Sequence, residues 1–353
     1  MKNYFFILSF SRSGSTTLGQ KLNNHSDVEV INESWMFPLL GTLKWRKITP
    51  LRQKYIFNQI EKNRENNNSN KFNPKNVESY SVSVRYLFEN ITNSKASFLG
   101  EKTPTNLFYY GYLKRRFKTA KFIFLKRHPL AICSSYYSRW HSSSYSDKFI
   151  IETVNVIKAY NERFEAINDK ENILQVKYEE LVSESKIWLT KIAQHIGFEF
   201  EEKMLDESDE KLFENSESEK YHQDSHKSLN DFHVDKYKKV FTPNQIQELS
   251  YLLRHEIKSL GYPLDDLITP NNRIKKLEKK IIQKRSLKRI YLRRKTSLVK
   301  AKLSYLKFIL KQLLRLWLFK MLLFGQITSV SVLEFIRFVT DLKHNKIWIL
   351  MSL

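Results

Sequence analysis

The sequence predicts an α/β fold: a doubly wound, mostly parallel sheet with flanking helices, followed by a basic helical tail. Three observations carry this. Short apolar runs ("YFFILSF", "AKFIFLKR", "ENILQVKY") alternate with longer stretches of helical periodicity, the pattern of parallel strands joined by crossover helices. The first run leads into a tight polar turn that opens a helix, as at the head of nucleotide-binding sheets. Charge is also unevenly spread. Residues 271–353 hold 21 Lys/Arg against Glu278, Glu334 and Asp341, whereas the other 270 residues hold 39 basic and 34 acidic side chains. Of the net charge of +23, +18 belongs to the tail. The body is therefore placed at residues 1–268 and a basic amphipathic extension at 269–353.

The elements follow in order. "YFFILSF" reads as a buried strand and "STTLGQKLNNH" as the helix after it. "DVEVI" is a second strand. Residues 36–65 and 75–94 read as helices around the polar "KNRENNNSNKFNPKN", a surface loop. "ASFLGEK" and "AKFIFLKR" are strands on either side of the helical "TNLFYYGYLKRRF". Pro129 suits the first turn of a helix through "LAICSSYYSRW". "ENILQVKY" is the next strand, and Gly197 ends the helix "EELVSESKIWLTKIAQHIG". Residues 206–231 are polar loop, and "TPNQIQELSYLLRHEIKSLGY" returns to helix.

Composition sets limits on function. A single cysteine, Cys133, rules out an internal disulfide framework and suits a reducing compartment. The first apolar run is short and lacks a small-residue cleavage site, so no signal peptide is expected. No run of 18 uncharged apolar residues predicts a spanning helix. No His/Cys cluster has ligand spacing, so no metal site is expected. Together these imply a cytoplasmic protein.

The chemistry concentrates in a few segments. "SFSRSGSTTLG" places a strand, a tight loop and a helix N-terminus in line, where unpaired N–H groups and the helix dipole receive an anion. Gly14 permits close backbone approach, Ser13, Ser15, Thr16 and Thr17 offer hydroxyls, and Arg12 offers a forked cation. A Ser-rich turn capping an ordinary helix is the plainer reading of the loop alone. The strand "KFIFLKR" ends in Lys126 and Arg127, where magnesium-dependent NTPases often place an Asp. Ser135 lies eight residues after Arg127, and Arg139 lies one helical turn further, on the face Ser135 occupies.

These segments resemble the sulfotransferases that use 3'-phosphoadenosine 5'-phosphosulfate (PAPS). "SRSGSTTL" is similar to their 5'-phosphosulfate loop, and the Arg127/Ser135 pair to their 3'-phosphate motif. "FLGEKTPTNL", "NILQVKYEELV" and "HKSLNDFHVDKYKKVFTPNQIQELSYLLRHEIKSLGY" resemble later family segments, so the likeness spans residues 4–263. The resemblance implies a P-loop-like sulfotransferase fold, with PAPS as co-substrate and no metal. The spacing looks closest to the tyrosylprotein sulfotransferases and their bacterial relatives. On that likeness the catalytic Glu falls on Glu33 in "INESW", and the catalytic Lys on Lys102 in "GEKTP". The further cofactor contacts fall on Arg139, Tyr178 and Lys236, with Ser225 or Ser228 as a closing serine. Arg12 and Lys102 would stabilise charge on the leaving oxygen while Glu33 accepts the acceptor's proton. Plainer roles are a helix-capping Glu33 and a surface Lys102 pairing with Glu101.

The implied activity is sulfuryl transfer to a hydroxyl of a carbohydrate, lipid or other acceptor, read through residues 36–95 and 140–150. The alternatives are a small-molecule kinase on related architecture and a non-catalytic membrane-surface adaptor. The tail repeats Ile274, Leu277 and Ile281 at helical spacing, then Leu303, Leu306, Ile309, Leu310, Leu313 and Leu314, amid lysines and arginines. It suits the surface of an anionic membrane, or a helix packed on the body or on a partner subunit. Homo-oligomers fit this reading. Nucleic acid is disfavoured, since no reading motif accompanies the charge.

Overall fold

The computed structural model describes residues 2–44, 47–67, 82–92, 95–141, 144–207, 234–264, 268–285 and 302–312. The N-terminal apolar run forms β1 (Asn3–Ser9), buried from Tyr4 onward. Both of its faces are covered, because alternate side chains enter different layers. Phe5 and Ile7 join Leu18, Leu22, Val30, Ile123, Val176 and Ile192 in one layer. On the other face, Phe6 stands edge-on to Phe37 and Phe117 at 5.3 and 5.1 Å, and stacks on Phe122 at 5.6 Å.

The chain continues through α1 (Ser15–Asn23), β2 (Val28–Asn32), α2 (Met36–Leu43), β3 (Lys47–Ile48), α3 (Pro50–Asn67), β4 (Val82–Ser83) and α4 (Val84–Thr92). Next come β5 (Phe98–Lys102), a 3-10 helix (Pro104–Tyr109), α5 (Tyr110–Arg116), β6 (Lys121–Lys126), α6 (Pro129–Tyr136) and a π-helical turn (Tyr137–His141). Then follow α7 (Asp147–Glu165), β7 (Ile173–Lys177), α8 (Tyr178–Ser183), α9 (Ser185–Ile196), α10 (Lys236–Val240), α11 (Pro243–Ser259) and α12 (Asn272–Arg285).

The main sheet runs β2-β5-β1-β6-β7, and every neighbouring pair in it is parallel. From the central β1 the chain moves to β2 and β5 on one side, then to β6 and β7 on the other. This reversal makes the carboxyl ends of the strands beside β1 the place for a ligand crevice. The loops leaving β1, β2 and β6 carry Arg12, Glu33 and Arg127 to that edge, and Lys102 ends β5 there.

The predicted architecture is the observed one, with local differences. The helix expected over residues 36–65 is interrupted by β3, which pairs antiparallel with β4 through Ile48 and Val82. Helix α7 was not anticipated, although the sequence marks it. Ser146 caps it by accepting the Phe149 N–H at 3.3 Å, and Phe149, Ile150, Val154 and Ile157 recur at helical spacing on its buried face. Pro129 opens α6, and Gly197 (φ +107°) closes α9, both as the sequence implied. Residues 208–231 of the polar loop and 68–76 of "KNRENNNSNKFNPKN" lie outside the described residues, and the start of the latter, residues 62–67, continues α3 rather than forming a loop.

Two compact units divide the chain, residues 1–290 and 291–353. The first helix of the basic tail, α12, belongs to the first unit. Its Ile274, Leu277 and Ile281 are buried, and it packs against α7 and α11. Arg273 bonds Glu248 of α11 and reaches Asp147 of α7 at 3.3 Å, while Arg254 bonds Glu278 at 2.8 Å. This stripe therefore meets the body, one of the two uses open to it. In the second unit, residues 302–312 are helical; Leu313 and Leu314 lie outside the described residues. Among the described residues no helix is long and apolar enough to cross a membrane.

Candidate active site

After β1 the chain turns through Arg12 (φ +71°) and Gly14 (φ +83°) into α1. Gly14 is required twice over. Its left-handed conformation is strained for any side chain, and a Cβ there would lie 2.3 Å from the Tyr178 ring. No side chain caps α1, so its first-turn N–H groups, led by those of Ser15, Thr16 and Thr17, face the loop with the positive end of the dipole. The Ser13 hydroxyl is buried and has no hydrogen-bond partner among the described residues. An uncapped helix beside an orphaned buried hydroxyl fits an anionic ligand.

The second motif docks onto the first. Arg127, just past β6, donates from Nη1 to the Arg12 carbonyl at 3.0 Å, and its guanidinium lies over the Tyr178 ring at 4.6 Å. Arg12 in turn donates from Nε to Ser135 Oγ on α6 at 3.0 Å. Backbone and side chain of the strained Arg12 are thus both tied to the Arg127/Ser135 segment. Arg139 does not share an uninterrupted α-helical face with Ser135, because α6 widens into the π-helical turn at Tyr137. It still acts on the site. Burial first, and then the charges of Arg139 and Arg127, pull the Arg12 guanidinium down to about 10. Burial lowers Arg127 as well. Clustered guanidiniums in a partly desolvated crevice are complementary to a multiply charged anion.

Glu33 and Lys102 meet at the neighbouring strand ends. The β2–β5 ladder pairs Asn32 with Lys102, and it gains one more bond as the Glu33 N–H donates to the Lys102 carbonyl at 2.7 Å. The chain then turns through two left-handed residues, Glu33 (φ +57°) and Trp35 (φ +56°). Lys102 Nζ donates to Glu33 Oε1 and to Thr16 Oγ1, each at 3.0 Å. The lysine is 1% exposed and the carboxylate 34%. A surface pair between Lys102 and Glu101 is not formed. Strand alternation sends Glu101 to the opposite face, where it is wholly buried and bonded to Ser34, Thr103 and Asn106.

Tyr178 is buried behind the loop, between Gly14 and Arg127. Lys236 opens α10, which packs on α6, and the next residue, Tyr237, stacks parallel on His128 at 5.2 Å. Ser225 and Ser228 lie outside the described residues. Sequence reasoning missed Ser34 and the buried side of Glu101, which strand periodicity in "FLGEKT" signals.

Residues 5–202 match the profile of the Sulfotransferase family. The chain belongs to the sulfotransferase family. This agrees with the resemblance drawn from the motifs, that of a PAPS-dependent sulfotransferase, and it sets aside the kinase and adaptor readings. Among solved structures, the chain is similar to the sulfotransferase domain of the Synechococcus PCC 7002 olefin synthase. They share 20% identity, covering 75% of this chain and 97% of that one, with a TM-score of 0.51. The sulfotransferase domain of the curacin biosynthetic pathway shows 19% identity over 75% and 99% of the two chains, with a TM-score of 0.48. A sulfotransferase from Alicyclobacillus acidocaldarius shows 12% identity over 74% and 94%, with a TM-score of 0.42. Among curated protein sequences no relative matches.

Proposed function

We propose that this sulfotransferase-family protein transfers the sulfuryl group of PAPS to a hydroxyl of a carbohydrate, lipid or other acceptor, with Glu33 as general base. The observation that carries the reading is the row Glu33–Lys102–Thr16. It links a partly exposed carboxylate to the anion-receiving loop through one buried ammonium. An acceptor hydroxyl is a poor nucleophile, so a carboxylate at the mouth of the loop takes its proton as it attacks. PAPS, when bound, supplies the activated sulfuryl group.

The chain's own residues divide the rest of the work. Arg12, Ser13, Gly14, Ser15, Thr16 and Thr17 would hold the 5'-phosphosulfate, where the uncapped α1 and the orphaned Ser13 hydroxyl favour an anion. Arg127, Ser135 and Arg139 would hold the 3'-phosphate that distinguishes this donor from ATP. Tyr178 supports Gly14 and Arg127 from behind, and Lys236, at the head of α10, would add a cation to the donor's site. Lys102 orients Glu33 and offers its charge to the departing oxygen, as does Arg12. Acceptor selection falls to residues 36–95 and 140–150. The Lys/Arg-rich tail beyond α12 meets an anionic membrane surface on the cytoplasmic side in this account. Comparing sulfated metabolites by mass spectrometry between a producing strain and its Glu33→Ala counterpart tests the function. Products lost in the variant identify the acceptor, and identical profiles refute the assignment.

A further inference from the structure

Glu101 lies on β5 next to Lys102 and is 0% exposed. Its Oε1 accepts from Ser34 Oγ at 2.7 Å, from the Ser34 N–H at 3.3 Å and from Thr103 Oγ1 at 2.6 Å, and its Oε2 accepts from Asn106 Nδ2. Burial raises its pKa, while the hydrogen bonds from Thr103, Ser34 and Asn106 and the charge of Lys102 act the other way. These donors come from two separate segments. Ser34 directly follows Glu33, whereas Thr103 directly follows Lys102 and Asn106 lies four residues beyond it. One buried side chain therefore ties together the two loops that carry the proposed base and its lysine.

The tie falls where the backbone is least comfortable. Ser34 is flanked by Glu33 and Trp35, both left-handed, a conformation that costs a non-glycine residue about 1–2 kcal/mol. Its hydroxyl also accepts the Met36 N–H at 3.2 Å, which carries the constraint into the first turn of α2. A buried carboxylate kept only for stability is often replaceable by an apolar isostere. Here its four acceptor contacts instead fix the turn that aims Glu33. We propose that Glu101, acting through Ser34, is a positioning residue that holds Glu33 and Lys102 in register for sulfuryl transfer; this rests on the function proposed above.

The test uses the full chain with Glu101→Gln, Ser34→Ala and the double variant. Calorimetry gives the affinity for 3'-phosphoadenosine 5'-phosphate (PAP), and PAPS turnover is followed with water as acceptor, yielding PAP, sulfate and a proton. Each single variant should lower turnover at saturating PAPS about tenfold, roughly 1.4 kcal/mol. PAP affinity should stay within about twofold, and the double variant should fall no further than the weaker single one, because both changes break the same link. Wild-type turnover in folded variants, multiplicative losses in the double variant, or PAP affinity falling in step with turnover would each overturn the inference. If Glu101→Gln does not fold, Ser34→Ala, which removes one hydroxyl, decides by the same criteria. Failure of the underlying function looks different: the wild-type chain itself then binds no PAP or turns over no PAPS, and the inference goes with it.

Discussion

Arg12 is held in place by Ser135 and Arg127 although its surroundings disfavour its charge. Its pKa falls in the fold from the ordinary arginine value to about 10, so the unfolded chain binds this proton more tightly than the folded one. The penalty on stability is present in full below about pH 10 and fades as pH rises from there toward the ordinary arginine value. An anion relieves it at neutral pH. Arg12→Met should therefore melt at or above the wild-type temperature without ligand, yet lose the rise in Tm that PAP gives; a thermal shift assay with and without PAP reads both. Glu33→Gln keeps shape and removes the base. It should lower turnover about 10²–10⁴-fold with PAP affinity unchanged, and an equal loss of both in calorimetry and rate assays would assign Glu33 to binding instead. Arg12, Arg127 and Ser135 were legible in the sequence because short spacings around a strand end encode them. The Glu101–Ser34 link was not, since it joins residues 67 apart through the adjacency of β2 and β5.

At the scale of elements, the loop and α1 function as one piece with the ring of Tyr178 behind them. Gly14→Ala forces a Cβ into that ring and a side chain into the left-handed region. We expect PAP affinity to drop by more than about tenfold, with the sheet intact by circular dichroism, because each strain exceeds roughly 1 kcal/mol. Unchanged affinity would mean the loop does not receive the donor. The strands β1 and β6 were legible because each is an apolar run buried on both faces, as Phe5 and Phe6 of β1 illustrate. Two things escaped. The β3–β4 pair is only two residues long per strand, too short for periodicity to register. The π-helical turn after α6 depends on packing that spacing alone does not encode: Tyr137 stands against Phe149 and Phe241 at 5.2 and 5.5 Å.

The whole molecule combines a nearly balanced catalytic body with a strongly basic extension, a division read directly from the charge count. Where the extension begins was harder to read, since α12 shares its composition but buries its apolar stripe in the first unit. A chain ending at residue 290 should keep its stability and PAP binding. One ending at residue 268 uncovers the sites of Ile274, Leu277 and Ile281 and should lose several kcal/mol in denaturant titrations, at about 1.5–3 kcal/mol per buried side chain. The full chain should float with anionic vesicles and the chain ending at 290 should not; equal partitioning would remove the membrane from the account.

On the proposed function, the Arg12 loop and the Arg127/Ser135/Arg139 cluster serve a donor with a 3'-phosphate. Titrating the full-length protein calorimetrically with PAP and with ATP, both in EDTA, tests it most directly. PAP should bind saturably without a divalent ion, and ATP should bind at least about tenfold more weakly for want of the 3'-phosphate. Tighter binding of ATP, or no binding of PAP, would contradict it.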